Sequence, residues 1–153
     1  PFSVKLSPAV IPADPHVVVI DERSADAKTY RIAWGDGYRA YLADSNTTPD
    51  RMTVLRAKLN AAISEDQKVE VRVQNFDLLM NFSGWVAGTF NTMTCTLTAS
   101  VGQAKLTGAS SANYLGNADS DSGTKATEAC ISQAIQGWLV VAPVTKSGRG
   151  KLP

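Results

Sequence analysis

The fold of this chain is decided by the stretch Lys68-Val69-Glu70-Val71-Arg72-Val73-Gln74-Asn75. Three valines alternate in it with charged and amide side chains, and successive side chains of a β-strand point to opposite faces of the sheet. The stretch therefore predicts a strand with one buried face and one polar face. Polar sheet faces are usually only solvated, but a basic and amide-rich face also suits an anionic polymer. The surroundings of the strand decide between these two interpretations.

Two runs nearer the start of the chain predict a β-hairpin. Thr29 to Trp34 and Tyr38 to Leu42 flank Gly35-Asp36-Gly37, and Asp and Gly supply the positive φ that tight turns need. Val17-Val18-Val19-Ile20 predicts a further strand, which we expect to be buried because it is entirely apolar. The first third of the chain therefore consists mainly of strands.

Residues 51–63 fit two structures. A helix would place on one face Met52, Leu55, Leu59, Ala62 and Ile63. A strand would instead alternate apolar residues with Arg56 and Lys58, and residues 51–59 would pair antiparallel with the 68–75 strand. The basic faces of the two strands would then add up. The sequence leaves both interpretations open.

Residues 75–84 carry five large apolar side chains between Asn and Gly. This composition predicts a loop, and a loop so apolar is expected to pack against another subunit. We assign this contact with another subunit to Phe76, Leu79 and Phe82, and we expect it to lie between two dimers of the chain and not within one dimer.

Alternation returns over residues 85–98. Thr92 and Thr94 lie on one face of this run, and threonine-rich alternation is typical of a strand. Residues 102–123 are rich in Gly, Ser, Ala and Asn and predict irregular structure.

Residues 124–141 predict a helix with an apolar stripe at i, i+3, i+4 spacing. Asp121, Ser122 or Thr124 can cap its start, and Pro143 is expected to end it. One helix is too little cover for a sheet of five or more strands, so we expect the stripe to pack on a second copy in a two-fold dimer. The predicted dimer interface contains Ile131, Ile135, Trp138 and Leu139.

The composition excludes several classes of protein. The 153 residues are 44% hydrophobic and 19% charged, which suits one domain over residues 1–153. A net charge of +1 excludes nucleic-acid binding by overall charge alone. No apolar run approaches the roughly 20 residues that span a bilayer, and we predict no membrane contact.

Residues that carry chemistry are sparse. One histidine and two distant cysteines lack zinc-binding spacing, and the acid pair Glu65-Asp66 lies in a turn-like segment. No nucleotide-binding loop or nucleophile motif occurs. We therefore predict no enzyme activity, no metal and no cofactor. Cys95 and Cys130 are either two buried free thiols, the commoner arrangement, or a disulfide in an oxidising compartment.

The pattern resembles the coat proteins of single-stranded RNA bacteriophages. The resemblance lies in residues 51–55 with the 68–75 strand, in the threonine-rich strand after it, and in a helix ending in Ala134-Ile135-Gln136-Gly137-Trp138-Leu139. It implies an α+β fold with an N-terminal β-hairpin and a five-stranded antiparallel sheet, followed by a C-terminal helix that packs on a dimer partner. It also implies a capsid protein of the virion, assembled in the cytoplasm of a bacterial host, whose dimers close into an icosahedral shell.

The same resemblance implies that the inner face of the sheet binds single-stranded RNA. Carried onto this sequence, the RNA-binding residues are Arg56, Lys58, Lys68, Arg72, Gln74, Thr92 and Thr94. If residues 51–63 form a strand, the four cations of this set share one face, although the chain as a whole is close to neutral.

The helical interpretation of residues 51–63 supports an alternative. Its order of strands, helix and strand resembles the oligonucleotide/oligosaccharide-binding barrels of bacterial toxin B subunits. The chain would then be a secreted, oligomeric glycan-binding subunit, with Cys95 and Cys130 joined.

Overall fold

Eight strands, two α-helices and two short 3-10 helices occur in the part of the chain that the structure describes. The structure is a computed structural model and describes residues 3–33, 38–82, 90–115 and 120–146. The strands are β1 (Val4–Lys5), β2 (Val17–Asp21), β3 (Arg31–Ile32), β4 (Tyr38–Tyr41), β5 (Thr47–Thr48), β6 (Val69–Phe82), β7 (Phe90–Val101) and β8 (Ala104–Leu115), and the helices are α1 (Arg51–Ala62) and α2 (Ser120–Lys146). Both helices pack on one side of a mainly antiparallel sheet, so the predicted α+β class is confirmed.

The main sheet is open at both ends over the described residues. Strands β3, β4, β6, β7 and β8 follow one another across it, and β3 pairs antiparallel with β4 as the predicted hairpin requires, while its turn at Gly35-Asp36-Gly37 lies outside the described residues. Strand β2 lies beside the first half of β6, and β4 lies beside the second half. All pairs in this sheet are antiparallel except β2 with β6. A small second sheet pairs β1 with β5.

Strand β6 contains the predicted 68–75 strand and continues to Phe82. Val73 faces the core, a bulge follows at Gln74, and Phe76 and Leu78 face the core after it. A bulge adds one residue, so it breaks the period of two that marks a strand in sequence. For this reason the second half of β6 resembles a loop when only the sequence is considered.

The prediction of an apolar loop over residues 75–84 is therefore wrong as far as Phe82. Phe76 is fully buried beneath the helices, and Leu79 is half-buried on the opposite face of the sheet. The side chain of Phe82 and residues 83–89 lie outside the described residues. Phe76 is a core residue and offers no surface to another subunit.

Strand β8 replaces the irregular structure predicted for residues 102–123. It pairs with β7 over its whole length, after a tight turn in which Gly102 has a φ of +58°. The many small residues of β8 give no strand pattern in the sequence. One of them is nevertheless required for packing. A Cβ on Gly108 would clash with the backbone oxygen of Cys130 in α2. The helix can approach the sheet this closely only where the side chain is absent.

Helix α1 decides the question of residues 51–63, and the strand interpretation is wrong. Asp50 caps the helix, because its carboxylate accepts a hydrogen bond from the Met52 N–H at 2.8 Å. Val54, Leu55 and Leu59 are buried in the core. The sheet therefore has two covering helices where the sequence predicted one.

Helix α2 packs on the sheet of its own chain. Ile131, Ile135 and Trp138 are 0%, 7% and 5% exposed within this single chain, and the helix contacts β7 and β8. The argument that the stripe needs a partner's sheet is wrong, because α1 and α2 together cover the sheet. The helix also continues through Pro143 to Lys146, so the prediction that Pro143 ends it is wrong.

Arg51, the first residue of α1, is fully buried. Its Nε donates to the carbonyl oxygen of Phe76 at 3.2 Å, its Nη1 to that of Ala43 at 3.1 Å, and its Nη2 to that of Leu42 at 3.2 Å. Burial lowers the pKa of Arg51, although the Asp44 carboxylate 3.4 Å from Nη2 favours the charged form. This one side chain joins α1 to strand β6 and to the end of β4.

Asp44 also connects Arg51 to a second buried guanidinium group, that of Arg23. The Arg23 side chain is 0% exposed and donates two hydrogen bonds to Asp44 and two to Asp21, at 2.9 to 3.0 Å. These bonds raise the pKa of Arg23 despite its burial. The hydrogen bond from Arg23 in turn lowers the pKa of Asp21 to about 2.

Replacing Arg51 by methionine should lower the free energy of unfolding by about 3 kcal/mol. The change keeps much of the side-chain volume but removes the hydrogen bonds of Arg51 to the buried carbonyl groups of Phe76 and Leu42 and a partner of Asp44, while the Ala43 carbonyl keeps its bond from the Asn46 N–H. Urea denaturation followed by circular dichroism measures the loss. Arg56→Met is the control, because Arg56 is half-buried on the same helix. A loss below about 1 kcal/mol for Arg51→Met would contradict the central role of this side chain.

Replacing Gly108 by alanine should lower the free energy of unfolding by about 1 to 3 kcal/mol, because the new methyl group would push α2 away from β8. Gly137→Ala is the matched control: it lies on α2, and a Cβ there meets no atom within 4 Å. The control should stabilise the protein by up to about 1 kcal/mol through helix propensity. Thermal unfolding of both variants measures the difference, and destabilisation of equal size in both would contradict the close packing.

Candidate nucleic-acid interface

The face of the main sheet opposite the helices is lined by hydroxyl, amide and charged side chains. We call it the open face, and define it by Thr92, Thr94, Thr96, Thr98 and Ser100 of β7 together with the residues in register with them on β4, β6 and β8. These five β7 side chains are half-buried, whereas the residues between them on β7 are buried against the helices. Neighbouring strands lie about 4.8 Å apart, so the open face is a closely spaced array of hydrogen-bonding groups.

Hydrogen bonds between neighbouring strands order part of this array. Thr94 Oγ1 lies 2.8 Å from Ser111 Oγ, and Gln74 Nε2 donates to Ser100 Oγ at 3.1 Å. A hydroxyl group can both donate and accept, so these residues keep capacity for further bonds. The open face can therefore hydrogen-bond to a flat polar ligand at several positions.

Four of the seven predicted RNA-binding residues lie on the open face, Arg72 and Gln74 near Ser100 and Thr92 and Thr94 toward the other end of β7. Arg56 and Lys58 lie on α1, on the other side of the sheet. Lys68 precedes β6 and lines a pocket beside α1 together with Ala57 and Asn60. The predicted cluster of four cations on one face is therefore wrong, because residues 51–62 form a helix.

Arg72 is neutralised by neighbouring carboxylates. Its Nη1 donates to Glu22 and its Nη2 to Glu70, each at 2.8 Å, and Gln74 Nε2 donates to Glu22 at 2.9 Å. The hydrogen bonds to Glu22 and Glu70 raise the pKa of Arg72, and those from Arg72 and Gln74 lower the pKa of Glu22. The sequence did not predict the role of Glu22, which is 50 residues away from Arg72 in the chain.

Three residues of the predicted hairpin contribute to the open face, although no sequence pattern assigned them to it. Tyr41 pairs with Leu79, and Arg39 pairs with Asn81. Arg31 pairs with Tyr41, and its guanidinium carbon lies 4.4 Å from the centre of the Tyr41 ring. The hairpin sequence shows alternation but not which sheet edge the hairpin joins. Only that edge places Arg31 and Arg39 on the same face of the sheet as the threonines, with β6 between Arg39 and Thr92.

Cations without a carboxylate partner in the described residues occur at both ends of the open face. Arg39 is exposed at the end where β4 pairs with β6, and Lys105 is exposed at the start of β8, in register with Ser100 and Arg72. Neither forms an ion pair within the described part of the chain. Asp77 and Thr96 are in register between them. The open face is thus polar in its middle and basic at its ends.

The pocket beside α1 and the other described features do not form a second candidate site. The pocket beside α1 has a volume of about 500 Å³ and is lined by Asp14, His16 and Glu65 among others. Its His16 is buried and already hydrogen-bonded, with Nε2 2.6 Å from the carbonyl oxygen of Ile63. Over the described residues, no three His, Cys, Asp or Glu side chains are grouped to hold a metal ion. Neither helix, over the same residues, has the length and apolar character needed to cross a membrane.

The two cysteines are free thiols in the core. Both side chains are fully buried, Cys95 on β7 and Cys130 on α2. The hydrogen bond with Cys130 and burial raise the pKa of Cys95 well above that of an ordinary thiol. This arrangement agrees with the first of the two interpretations of the cysteine pair.

Comparison with known proteins adds no relative. No protein-family model matches this chain, and neither the curated proteins nor the solved structures contain a significant match to it. Function is therefore inferred from the open face and from the edge of the sheet.

Proposed function

We propose that this chain is the coat protein of a single-stranded RNA bacteriophage. In this proposal it dimerises, assembles into an icosahedral shell and binds single-stranded RNA on the open face. The observation that carries the proposal is the open face itself, a wide sheet surface of hydroxyl and amide groups that no described element covers.

The chemistry of the open face favours single-stranded RNA over a folded protein partner. A sheet that presents hydroxyl, amide, arginine and aromatic side chains can bond to base edges, 2′-hydroxyl groups and phosphates of an unpaired strand. A protein interface would instead have an apolar centre. On β7 the open face presents threonines, because the buried residues between them point to the helices, and its centre is the polar pair Asp77 and Thr96.

Strand β8 supports self-association, because it is a long edge strand with one neighbour in the described residues. Unpaired edge strands readily pair with the edge of another chain. The N–H of Ala109 points outward, since it donates to Gln133 Oε1 of α2 at 3.2 Å rather than to β7. The N–H groups of Thr107 and Ser111 also point outward, because backbone N–H groups alternate between the two sides of an antiparallel strand.

A two-fold axis at Ala109 would pair β8 with β8 of a second copy, with the Ala109 N–H exchanging Gln133 Oε1 for a carbonyl group of the second copy. Thr107 would then lie opposite Ser111 of the second copy, and Lys105 opposite its Asn113. This register brings no like charges together and places small side chains at the centre, both of which favour pairing. The result would be one continuous sheet with a doubled open face.

The two basic ends of the open face generate a prediction for RNA binding. Replacing Arg39 and Lys105 together by alanine should reduce the slope of log affinity against log salt by about 1.4, at roughly 0.7 for each phosphate contact to a single strand. The matched control is Arg56→Ala with Lys58→Ala, which removes the same charge from α1. Filter binding of generic single-stranded RNA, titrated with salt, measures both. A reduction of the salt slope by the same amount in the two double variants would refute RNA binding on the open face.

Replacing Thr107 by proline should convert dimers into monomers. Proline removes an outward N–H that β7 does not use, so the fold of the chain should survive. Thr107→Ala is the control and keeps the N–H. Sedimentation equilibrium measures the mass of each variant, and electron microscopy should show shells for the wild type and none for Thr107→Pro. A wild type that stays monomeric at micromolar concentration, or a proline variant that dimerises normally, would contradict the β8 interface.

A further inference from the structure

The hairpin end of the open face carries an unusual pair, Arg31 over Tyr41. The guanidinium carbon of Arg31 lies 4.4 Å from the centre of the Tyr41 ring, and Arg31 Nη1 donates to the carbonyl oxygen of Asp26 at 3.0 Å. The ring contact and the hydrogen bond hold the flexible arginine side chain in one place. Both Arg31 and Tyr41 are half-buried, so part of each remains accessible to a ligand.

The charge of Arg31 is not neutralised by a carboxylate in the described residues. Arg23 and Arg72 differ in this respect, because each is bonded to two carboxylates. A salt-bridged arginine has its donors occupied by anions, whereas the Arg31 side chain contacts a neutral carbonyl group and an aromatic ring among the described residues. Its cation is available to a π-system or to a phosphate.

The neighbours of this pair define what could bind. Tyr41 is in register with Leu79, and Arg39, two residues before Tyr41 on the same face, is exposed. Leu79 adds apolar surface beside the ring. Arg39 adds a cation two residues along the strand from Tyr41, which is a distance of roughly 7 Å. A planar group could therefore stack at Arg31 and Tyr41 while an attached anion reached Arg39.

We propose that Arg31 and Tyr41 form a stacking site for one unpaired base of single-stranded RNA, with the adjoining phosphate at Arg39. Bases stack on arginine planes and on aromatic rings, and such stacking tolerates different bases. The inference rests on the proposed function and adds to it a position on the open face where a base, rather than the sugar-phosphate chain, is bound.

The test separates stacking from charge. The ligands are an oligoadenylate of about eight nucleotides and a ribose-phosphate chain of the same length without bases. Arg31→Lys keeps the charge but removes the plane, so it should weaken oligoadenylate binding about fivefold or more, while the salt slope and binding of the base-free chain stay unchanged. Tyr41→Leu should have a similar effect, and Tyr41→Phe should bind like the wild type.

The outcomes distinguish this inference from the proposed function. A wild type that binds neither ligand overturns both. A wild type that binds the two ligands equally well overturns the stacking site and leaves RNA binding in place. Arg31→Lys with wild-type affinity for oligoadenylate also overturns the stacking site. A thermal unfolding curve for each variant identifies any that fails to fold, and the two positions test the site independently.

Discussion

The buried guanidinium group of Arg51 is the constraint on which the rest of this structure depends. It donates to three backbone carbonyl groups, which belong to β6 and to the segment that follows β4. A buried charge is tolerated only where its donors are satisfied, so the position of α1 relative to these strands has little freedom. Asp44 extends the same network to Arg23. The hairpin, the first helix and the longest strand are thereby held as one unit.

The position of α1 determines which face of the sheet stays accessible. Because α1 and α2 both lie on the core side, the central apolar residues of β6 and β7, such as Val71, Phe76, Leu78, Met93 and Leu97, are buried within one chain. The other side keeps its threonines and amides exposed to a ligand. The close contact of α2 with Gly108 has a related effect, since it brings the helix over β8 without covering the outer edge of that strand apart from the bond of Gln133 to Ala109.

Positive and negative charges balance locally on the open face, where the sequence suggested an excess of positive charge. Arg72 is bonded to Glu22 and Glu70, and Asp77 lies in the middle of the face. Among the described residues, the cations of the open face without a carboxylate partner lie at its opposite ends, Arg31 and Arg39 at the hairpin end and Lys105 at the start of β8. Recognition on such a surface relies more on hydrogen bonds and stacking than on long-range attraction, because the cations of the two ends are too far apart to produce a strong combined field. This balance also agrees with the net charge of +1.

The sequence by itself determined the features that depend on local periodicity: the strand around Val71, the β3–β4 hairpin, and the helix carrying Ile131 and Trp138. It also indicated the α+β class and the polar face that contains Arg72, Thr92 and Thr94. Only the tertiary structure decided that residues 51–62 form a helix, that β6 continues past its bulge, and that Gly108 lies in a strand. In each of these cases the deciding contact is distant in sequence: Arg51 with Phe76, the pairing of β6 with β7, and Cys130 with Gly108. Local periodicity cannot report such contacts, because it records which way a side chain points but not what it meets.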